Sequence, residues 1–172
     1  LCGAMSVGKT TLVNALKELE QFKDYNFATE RSQHLMSLGI PLNTDSTLKG
    51  QTVFLAERCG ELMHDNIITD RTVLDVMAFT LNANSIPHQD KTAFEEYANE
   101  FIREYDYIFY ISPHGLEIED NGVRETDEHY RDLIDFTITT LIKRHGHKAG
   151  SIDKISGSTD ERIQQILTIT GL

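Results

Sequence analysis

Basic residues, cysteines and long apolar runs are all scarce in this sequence, and each scarcity excludes a class of protein. Lysine and arginine total 16 against 27 aspartates and glutamates, which gives a formal charge of -11. This sign disfavours binding to a long phosphate backbone, so we do not expect nucleic acid as a partner. Only a local basic cleft inside the acidic shell would reverse that expectation.

The two cysteines, Cys2 and Cys59, are too few and too far apart for a disulfide framework or a zinc cluster. No run approaches the roughly 18 to 20 apolar residues that span a bilayer, and no segment resembles a secretory signal. We therefore expect a soluble protein without a membrane partner. Its expected location is a reducing compartment, the cytoplasm, or the host cytoplasm if a phage encodes it.

A length of 172 residues with 40% hydrophobic content predicts one domain over residues 1–172, without repeats or linkers. Because Leu1 and Cys2 directly precede a glycine-rich loop, we expect the first strand to be truncated in this sequence. Strand patterns follow at residues 25–28, 66–69, 107–111 and 151–155. Helical patterns occupy residues 9–22, 30–38, 46–64, 73–81, 92–103 and 127–144, and a last helix follows Gly157.

Strands that alternate with helices predict an α/β fold in which helices cover both faces of a parallel sheet. In such sheets the ligand site lies at the carboxyl ends of the strands. The polar segment 112–126, SPHGLEIEDNGVRET, predicts an exposed loop with room to move. The charged pairs described below all follow predicted strands, so we expect them to face one cleft.

Residues 3–10, GAMSVGKT, match the phosphate-loop pattern G-x-x-x-x-G-K-[ST] at every fixed position. Its glycines let backbone N–H groups turn toward an anion, and the following helix adds a partial positive charge. We expect Lys9 to reach the outer phosphates and the Thr10 hydroxyl to bind Mg²⁺. The loop indicates a bound nucleoside triphosphate but leaves its acceptor open.

Asp70 and Arg71 follow the predicted strand 66–69. Asp70 is a candidate Mg²⁺ ligand, either directly or through water, and it could equally cap the next helix. Arg71 suits bidentate binding of an acceptor's phosphate or sugar oxygens, although a surface salt bridge would explain it as well.

Glu30 and Arg31 follow the predicted strand 25–28 and are candidate acceptor-binding residues. Glu30 could accept a proton from a substrate hydroxyl, and Arg31 could bind a phosphate. An ordinary charged first turn of a helix explains both residues equally well.

Arg124 and Arg131 are seven positions apart, around the end of the polar loop. Two cationic side chains on a mobile segment could close over a transferring phosphoryl group and neutralise its charge. Alternatively, Arg131 pairs with Asp127 or Asp135 as ordinary helix decoration.

Four features together resemble the P-loop nucleoside and nucleotide kinases: the phosphate loop, the Asp70-Arg71 pair, the stretch DNGVRETDEHYRDLID and the C-terminal ISGSTDERIQQI. The sequence is most similar to the small ATPase-like kinases, which include nicotinamide-riboside kinase domains and phage nucleotide kinases. The resemblance covers nearly the whole chain. It implies a three-layer α/β/α fold with a five-stranded parallel sheet, a short mobile lid over about 112–131, and MgATP as the phosphoryl donor.

The resemblance also assigns roles to individual residues. It implies ATP phosphate contacts for Arg124 and Arg131, an acidic group near Mg²⁺ and the acceptor for Asp70, and an acceptor contact for Arg71. The residues expected to bind ATP are Gly3, Ser6, Val7, Gly8, Lys9, Thr10 and Thr11 in the loop, and Ser156, Gly157 and Arg162 near the adenine.

The expected function is transfer of the γ-phosphoryl group from MgATP to a nucleoside monophosphate or a nucleoside. Lys9, Asp70, Arg124, Arg131 and Glu30 are the candidate catalytic residues. The Asp70-Arg71 pair is followed by Thr72, not by the aromatic residue or serine common in thymidylate and deoxynucleoside kinases. No thymidylate-kinase lid signature is present either, so the sequence does not identify the acceptor. The alternatives are a nicotinamide-riboside-type kinase, a 5′-hydroxyl kinase of modified DNA, or an NTPase switch without a small acceptor. A homodimer is compatible with the sequence.

Overall fold

The computed structural model describes residues 1–29, 32–116 and 127–172. In chain order the elements are α1 (Lys9–Lys17), β1 (Asn26–Ala28), α2 (Ser32–Ser37), α3 (Leu48–Glu61), β2 (Ile67–Thr69), α4 (Val73–Asn82), α5 (His88–Ala98), β3 (Tyr107–Ile111), α6 (Glu128–His145), β4 (Ser151–Ile155) and α7 (Thr159–Thr170). Short 3₁₀ turns lie at Glu20–Phe22, Asn43–Asp45, Asn99–Glu104 and Gly146–Lys148.

The predicted alternation of strands and helices is confirmed, with two differences in helix length. The first helix ends at Lys17, and only a separate 3₁₀ turn reaches Phe22. The helix predicted over 92–103 begins at His88, directly after Pro87, and becomes a 3₁₀ turn from Asn99. Proline has no N–H to donate, so it fits naturally before a helix, where that donor is not needed.

The expected five-stranded sheet is not what the described residues form. They form two parallel two-stranded ladders, β1 with β2 and β3 with β4. Leu1 and Cys2 lie between the ladders: the Leu1 amino group donates to the Thr69 carbonyl at 2.7 Å, and the Cys2 N–H donates to the Phe109 carbonyl at 2.9 Å. Two residues make only an isolated bridge, because a strand needs a longer run of paired backbone.

Two apolar clusters lie on the two faces of the strands, as a three-layer arrangement requires. Alternate residues of β3 face opposite clusters: Ile108 and Tyr110 join one, and Phe109 and Ile111 join the other. Helices α4 and α6 pack on the first face, whereas α1 and α7 pack together on the second.

Helix α4 is buried from Val73 to Thr80, as expected for a helix that is apolar on all sides. Its N-terminus, like those of α1 and α7, lies at the carboxyl ends of the strands, where the phosphate loop begins. Within the described ranges, no helix combines the length and apolar composition that crossing a bilayer requires.

Candidate functional site

The phosphate loop is shaped by two glycines in conformations that other residues rarely adopt. Gly3 has a φ of 152°, and a Cβ there would lie 2.5 Å from the Ile111 carbonyl oxygen. Gly8 has a φ of 81° and directly precedes α1. A side chain at either position would strain the loop, so the predicted glycine pattern has a steric basis.

Lys9 turns back into the loop that precedes it. Its side chain is buried, and Nζ donates to the carbonyl oxygens of Gly3 at 2.6 Å and Ala4 at 2.7 Å. Burial lowers the pKa of Lys9, and the nearby Arg71 charge lowers it further, whereas Asp75 and Asp70 oppose the shift. A further anion at this position would favour the charged lysine, which is the electrostatic environment that a phosphate group provides.

The other predicted loop residues contribute in different ways. Ser6 has a φ of 59° and lines the adjacent pocket. Val7 buries its side chain in the apolar cluster beneath α1, so what it offers a ligand is mainly its backbone. Thr11 is exposed on the first turn of α1 and does not line this pocket among the described residues.

The side chains of Thr10 and Asp70, the two predicted Mg²⁺ ligands, are in direct contact, while metal binding stays a prediction. The Thr10 hydroxyl donates a hydrogen bond to Asp70 Oδ2, and the backbone N–H of Asp70 donates to the Ala28 carbonyl at 3.0 Å. Asp70 is 1% exposed at the end of β2. One hydroxyl and one carboxylate oxygen fit Mg²⁺, which prefers oxygen ligands and usually keeps water and substrate phosphate ligands. No cluster of three or more His, Cys, Asp or Glu side chains suited to a metal occurs among the described residues.

A cavity of about 270 Å³ opens beside the phosphate loop. Its lining includes side chains that carry charge or a hydroxyl group, Lys9, Thr10, Asp70 and Arg71, and a second set that is apolar, aromatic or neutral and polar, Leu42, Asn43, Ser46, Gln51, Phe54, Val76 and Phe79. The cavity therefore combines cationic and oxygen-bearing side chains with aromatic and neutral polar ones.

Arg71 lies within this cavity wall. Its guanidinium carbon is 5.0 Å from the centre of the Phe79 ring, a cation–π distance. Lys9 lines the same cavity, and the Arg71 charge lowers the pKa of Lys9. The predicted acceptor-side arginine is thus a pocket residue, while its chemical role stays a prediction.

Two neutral polar side chains of the cavity lining were not identified from sequence. Ser46 is fully buried, and its hydroxyl oxygen has no hydrogen-bond partner within the described ranges. Gln51 is 4% exposed on the first turn of α3 and lines the same wall. Both follow a proline-containing loop whose path the local sequence does not specify, so no pattern placed them at the site.

Arg162 contacts the phosphate loop, and the predicted role of Ser156, Gly157 and Arg162 near the adenine stays a prediction. Arg162 lies on α7, is buried, and donates from Nη1 to the Val7 carbonyl at 2.7 Å. Gly157, at φ 94°, and the exposed Ser156 precede this helix, and the Gln165 amide donates to the Ser156 carbonyl at 2.8 Å. The loop expected near adenine is therefore connected to the phosphate loop through Arg162.

Of the two predicted lid arginines and the Glu30-Arg31 pair, the structure describes only Arg131. Arg131 is buried on the first turns of α6, where Nη1 donates to the Leu116 carbonyl at 2.7 Å. It does not line the cavity among the described residues, and its contact with ATP stays a prediction. Glu30, Arg31 and Arg124 lie outside the described residues.

Asp75 is a buried site residue that the sequence analysis did not identify. Its carboxylate accepts hydrogen bonds from the Gly3 N–H at 3.1 Å and from both the N–H and the hydroxyl of Thr72 at 2.8 Å. The spacing Thr72-x-x-Asp75 is a capping-box pattern at the start of a helix, and it is the signal that could have been used.

Comparison with known proteins agrees with this geometry. The family model described as an AAA domain, AAA_28, matches residues 1–162. Deoxyadenosine kinase from M. mycoides with bound dCTP is similar at a TM-score of 0.67 and 17% identity, over 99% of this chain and 96% of that chain. The same kinase with the products dCMP and a flexible dCDP is similar at 0.64 and 17% identity, over 98% and 95%. No curated protein matches significantly.

The structural matches confirm the resemblance to P-loop nucleoside and nucleotide kinases at the level of the fold, because they extend over almost the full length of both chains. The family match includes the phosphate loop, the Asp70-Arg71 pair and part of α7 up to Arg162. The chain therefore belongs to the AAA domain family AAA_28 of P-loop NTPases and has the fold of a nucleoside kinase.

Proposed function

We propose that this protein is a kinase that transfers the γ-phosphoryl group of MgATP to a nucleoside or a nucleoside monophosphate. The observation that carries the proposal is the cavity whose lining combines the phosphate loop with aromatic and neutral polar side chains. Binding of phosphate groups alone would not need the aromatic and neutral polar lining. Its flat apolar rings and buried polar groups suit a heterocyclic base, which needs stacking surfaces and a few directed hydrogen bonds.

The donor end provides charge compensation and positioning, which are the main requirements of phosphoryl transfer. Lys9 would exchange its bonds to the loop carbonyls for the outer phosphates of ATP. Thr10 and Asp70 would hold Mg²⁺, whose chemistry when bound is neutralisation of phosphate charge. The main-chain N–H groups of residues 6–10 lie at the start of α1 and would bind the remaining phosphate oxygens.

The acceptor end would direct one oxygen toward the γ-phosphorus. For a nucleoside, its hydroxyl oxygen forms the new P–O bond while the bond to the β–γ bridging oxygen breaks, and the hydroxyl proton passes to a carboxylate. Asp70 and Glu30 are the candidates for that base. For a monophosphate, an unprotonated phosphate oxygen attacks, and Arg71 together with Arg31 would bind the acceptor phosphate.

Likeness to deoxyadenosine kinase favours a nucleoside, whereas the two arginines favour a monophosphate. The acceptor can be identified by incubating the protein with MgATP and a panel of nucleosides, their 5′-monophosphates and nicotinamide riboside. The quantities measured are the ADP released and the phosphorylated product formed. We expect ADP release that depends on one of these acceptors. Lys9→Met serves as the matched inactive control.

Two outcomes would contradict the proposal. ATP hydrolysis that is indifferent to every small acceptor indicates an NTPase switch instead. Phosphorylation of only the 5′-hydroxyl of DNA oligonucleotides, with a strong dependence on salt, indicates a DNA kinase. The charge of -11 disfavours the second outcome.

A further inference from the structure

Asp75 connects two parts of the site that are far apart in sequence. Its side chain is fully buried at the start of α4, three residues after Thr72. We propose that Asp75 is a positioning residue that holds the phosphate loop in a fixed relation to the Asp70-Arg71 corner. The effect of Asp75 on catalysis rests on the proposed function, whereas its contacts with Gly3 and Thr72 are observed in the structure.

The two carboxylate oxygens of Asp75 have different partners. Oδ2 accepts both the N–H and the hydroxyl of Thr72, each at 2.8 Å, which completes the capping box of α4. Oδ1 accepts the N–H of Gly3 at 3.1 Å, a contact that a capping box does not need. One rigid group therefore bonds simultaneously to the start of the phosphate loop and to the residue that follows Arg71.

Gly3 is enclosed on its other side as well. A Cβ on this residue would lie 2.5 Å from the Ile111 carbonyl at the end of β3 and 3.2 Å from a Val7 side-chain carbon. The loop thus begins in a gap between the end of β3 and the Asp75 carboxylate. A rotation of the Cys2–Gly3 peptide would break the bond to Asp75 and would also turn the Cys2 carbonyl away from the Ile111 N–H, which donates to it at 2.9 Å.

The contacts around Asp75 suit this role. Lys9 is buried and donates to the carbonyl of Gly3, the residue whose N–H Asp75 accepts. Asp75 therefore holds a residue that Lys9 contacts. It does not line the cavity among the described residues, so it can act without touching the substrate.

The test uses Asp75→Asn, which keeps the side-chain shape but offers one acceptor oxygen in place of two. The amide N–H₂ must then face either the Gly3 N–H or the Thr72 donors, so one of the two connections is lost. We expect the dissociation constant for MgATP, measured by calorimetry without an acceptor, to rise about tenfold. Amide exchange of residues 3–8 without nucleotide should accelerate.

Thr72→Val is the matched control, because it removes the capping hydroxyl and leaves both backbone N–H bonds to Asp75. We expect this variant to melt at a lower temperature while its MgATP affinity and its loop exchange stay at the wild-type values. If both variants weaken MgATP binding in proportion to their loss of stability, Asp75 is only a helix cap and the proposal is wrong.

Failure of the two proposals can be told apart. If the wild-type protein does not bind MgATP, the proposed function fails, whereas faster loop exchange in Asp75→Asn alone still supports the positioning role. If Asp75→Asn does not fold, amide hydrogen exchange of the wild-type protein, measured by NMR, tests the positioning role instead. The Gly3 amide should then be protected as strongly as the first turn of α4, and unprotected exchange at Gly3 beside a protected α4 overturns the inference.

Discussion

Arg162, ten residues before the end of the described chain, donates a hydrogen bond to the carbonyl oxygen of Val7 at 2.7 Å. The bond is buried and spans 155 positions of sequence. The last helix therefore supports the phosphate loop directly, in addition to any contact with adenine.

Arg162→Ala should weaken both the fold and the nucleotide site, because it leaves the Val7 carbonyl without its donor. Loss of a bond from a charged donor costs about 1.5–3 kcal/mol in the free energy of unfolding. Chemical denaturation and MgATP calorimetry measure the two effects. Arg103→Ala is the control: its exposed side chain pairs with Glu100 three residues earlier, so both quantities should stay near the wild-type values.

Lys9→Met should reduce kcat by about 10²–10³-fold, as expected for loss of one group that stabilises charge in the transition state. Methionine fills the same buried space but cannot donate to the Gly3 and Ala4 carbonyls, so the melting temperature should fall, and turnover is compared at a temperature at which both proteins are folded. A coupled ADP assay under saturating acceptor measures the loss. Lys23→Met replaces an exposed lysine that pairs with Glu20, and normal turnover is expected there. Equal turnover in both variants would refute the donor site.

Asp70→Asn should raise the Mg²⁺ concentration needed for half-maximal turnover and reduce kcat at saturation, because an amide is a weaker ligand than a carboxylate. The Thr10 hydroxyl can still donate to the carbonyl oxygen of the substituted side chain, so the fold should be kept. Titration with Mg²⁺ at fixed ATP gives the measurement. Asp65→Asn lies exposed at the opposite end of β2 and should leave the Mg²⁺ dependence unchanged. A normal Mg²⁺ dependence in Asp70→Asn would remove Asp70 from the metal site.

Ser46→Ala should change stability and acceptor binding in opposite directions. The Ser46 hydroxyl is buried without a described partner, so its removal should leave the free protein equally or more stable. If the hydroxyl binds the acceptor, the acceptor KM should rise about 2- to 10-fold, the equivalent of one hydrogen bond, with the MgATP KM unchanged. Ser37→Ala, on the exposed end of α2, is the control. An unchanged acceptor KM would place Ser46 outside the acceptor site.

Alkaline pH should destabilise the fold through buried phenols. Burial raises the pKa of Tyr105 above its ordinary value of 10.0, and burial together with Asp135 raises the pKa of Tyr110. Above about pH 10 the unfolded chain releases protons that the folded chain keeps, so the free energy of unfolding falls as pH rises. One such tyrosine contributes a slope of up to about 1.4 kcal/mol per pH unit.

Denaturant unfolding from about pH 9 to about pH 11, which brackets the ordinary phenol pKa, measures this slope. Tyr105→Phe should reduce it, and Tyr110 and the buried Cys2 thiol, whose pKa burial also raises, account for the remainder. Tyr107→Phe, on a half-exposed side chain of β3, should keep the wild-type slope. A slope that Tyr105→Phe leaves unchanged would show that this phenol ionises equally in both states.

The parts of the fold that local sequence specifies were predictable. The apolar face Tyr130, Ile134, Ile138 and Leu141 is buried on α6 as its spacing indicates, and Thr10 meets Asp70 because a loop motif and a strand end have defined places in a parallel sheet. The side chains that converge from distant segments were not predictable. The local sequence predicts only a helix cap for Asp75. The hydrogen bond that its second carboxylate oxygen accepts from the Gly3 N–H depends on the tertiary fold.

Helices α4 and α7 both contact the phosphate loop, and each begins with a capping box: Thr72 with Asp75 on α4, and Ser158 with Glu161 on α7. Local opening of either first turn would release a partner of the loop, Asp75 from Gly3 or Arg162 from Val7. Nucleotide affinity is then linked to fraying at two helix ends, so the affinity should fall on warming before the protein unfolds globally.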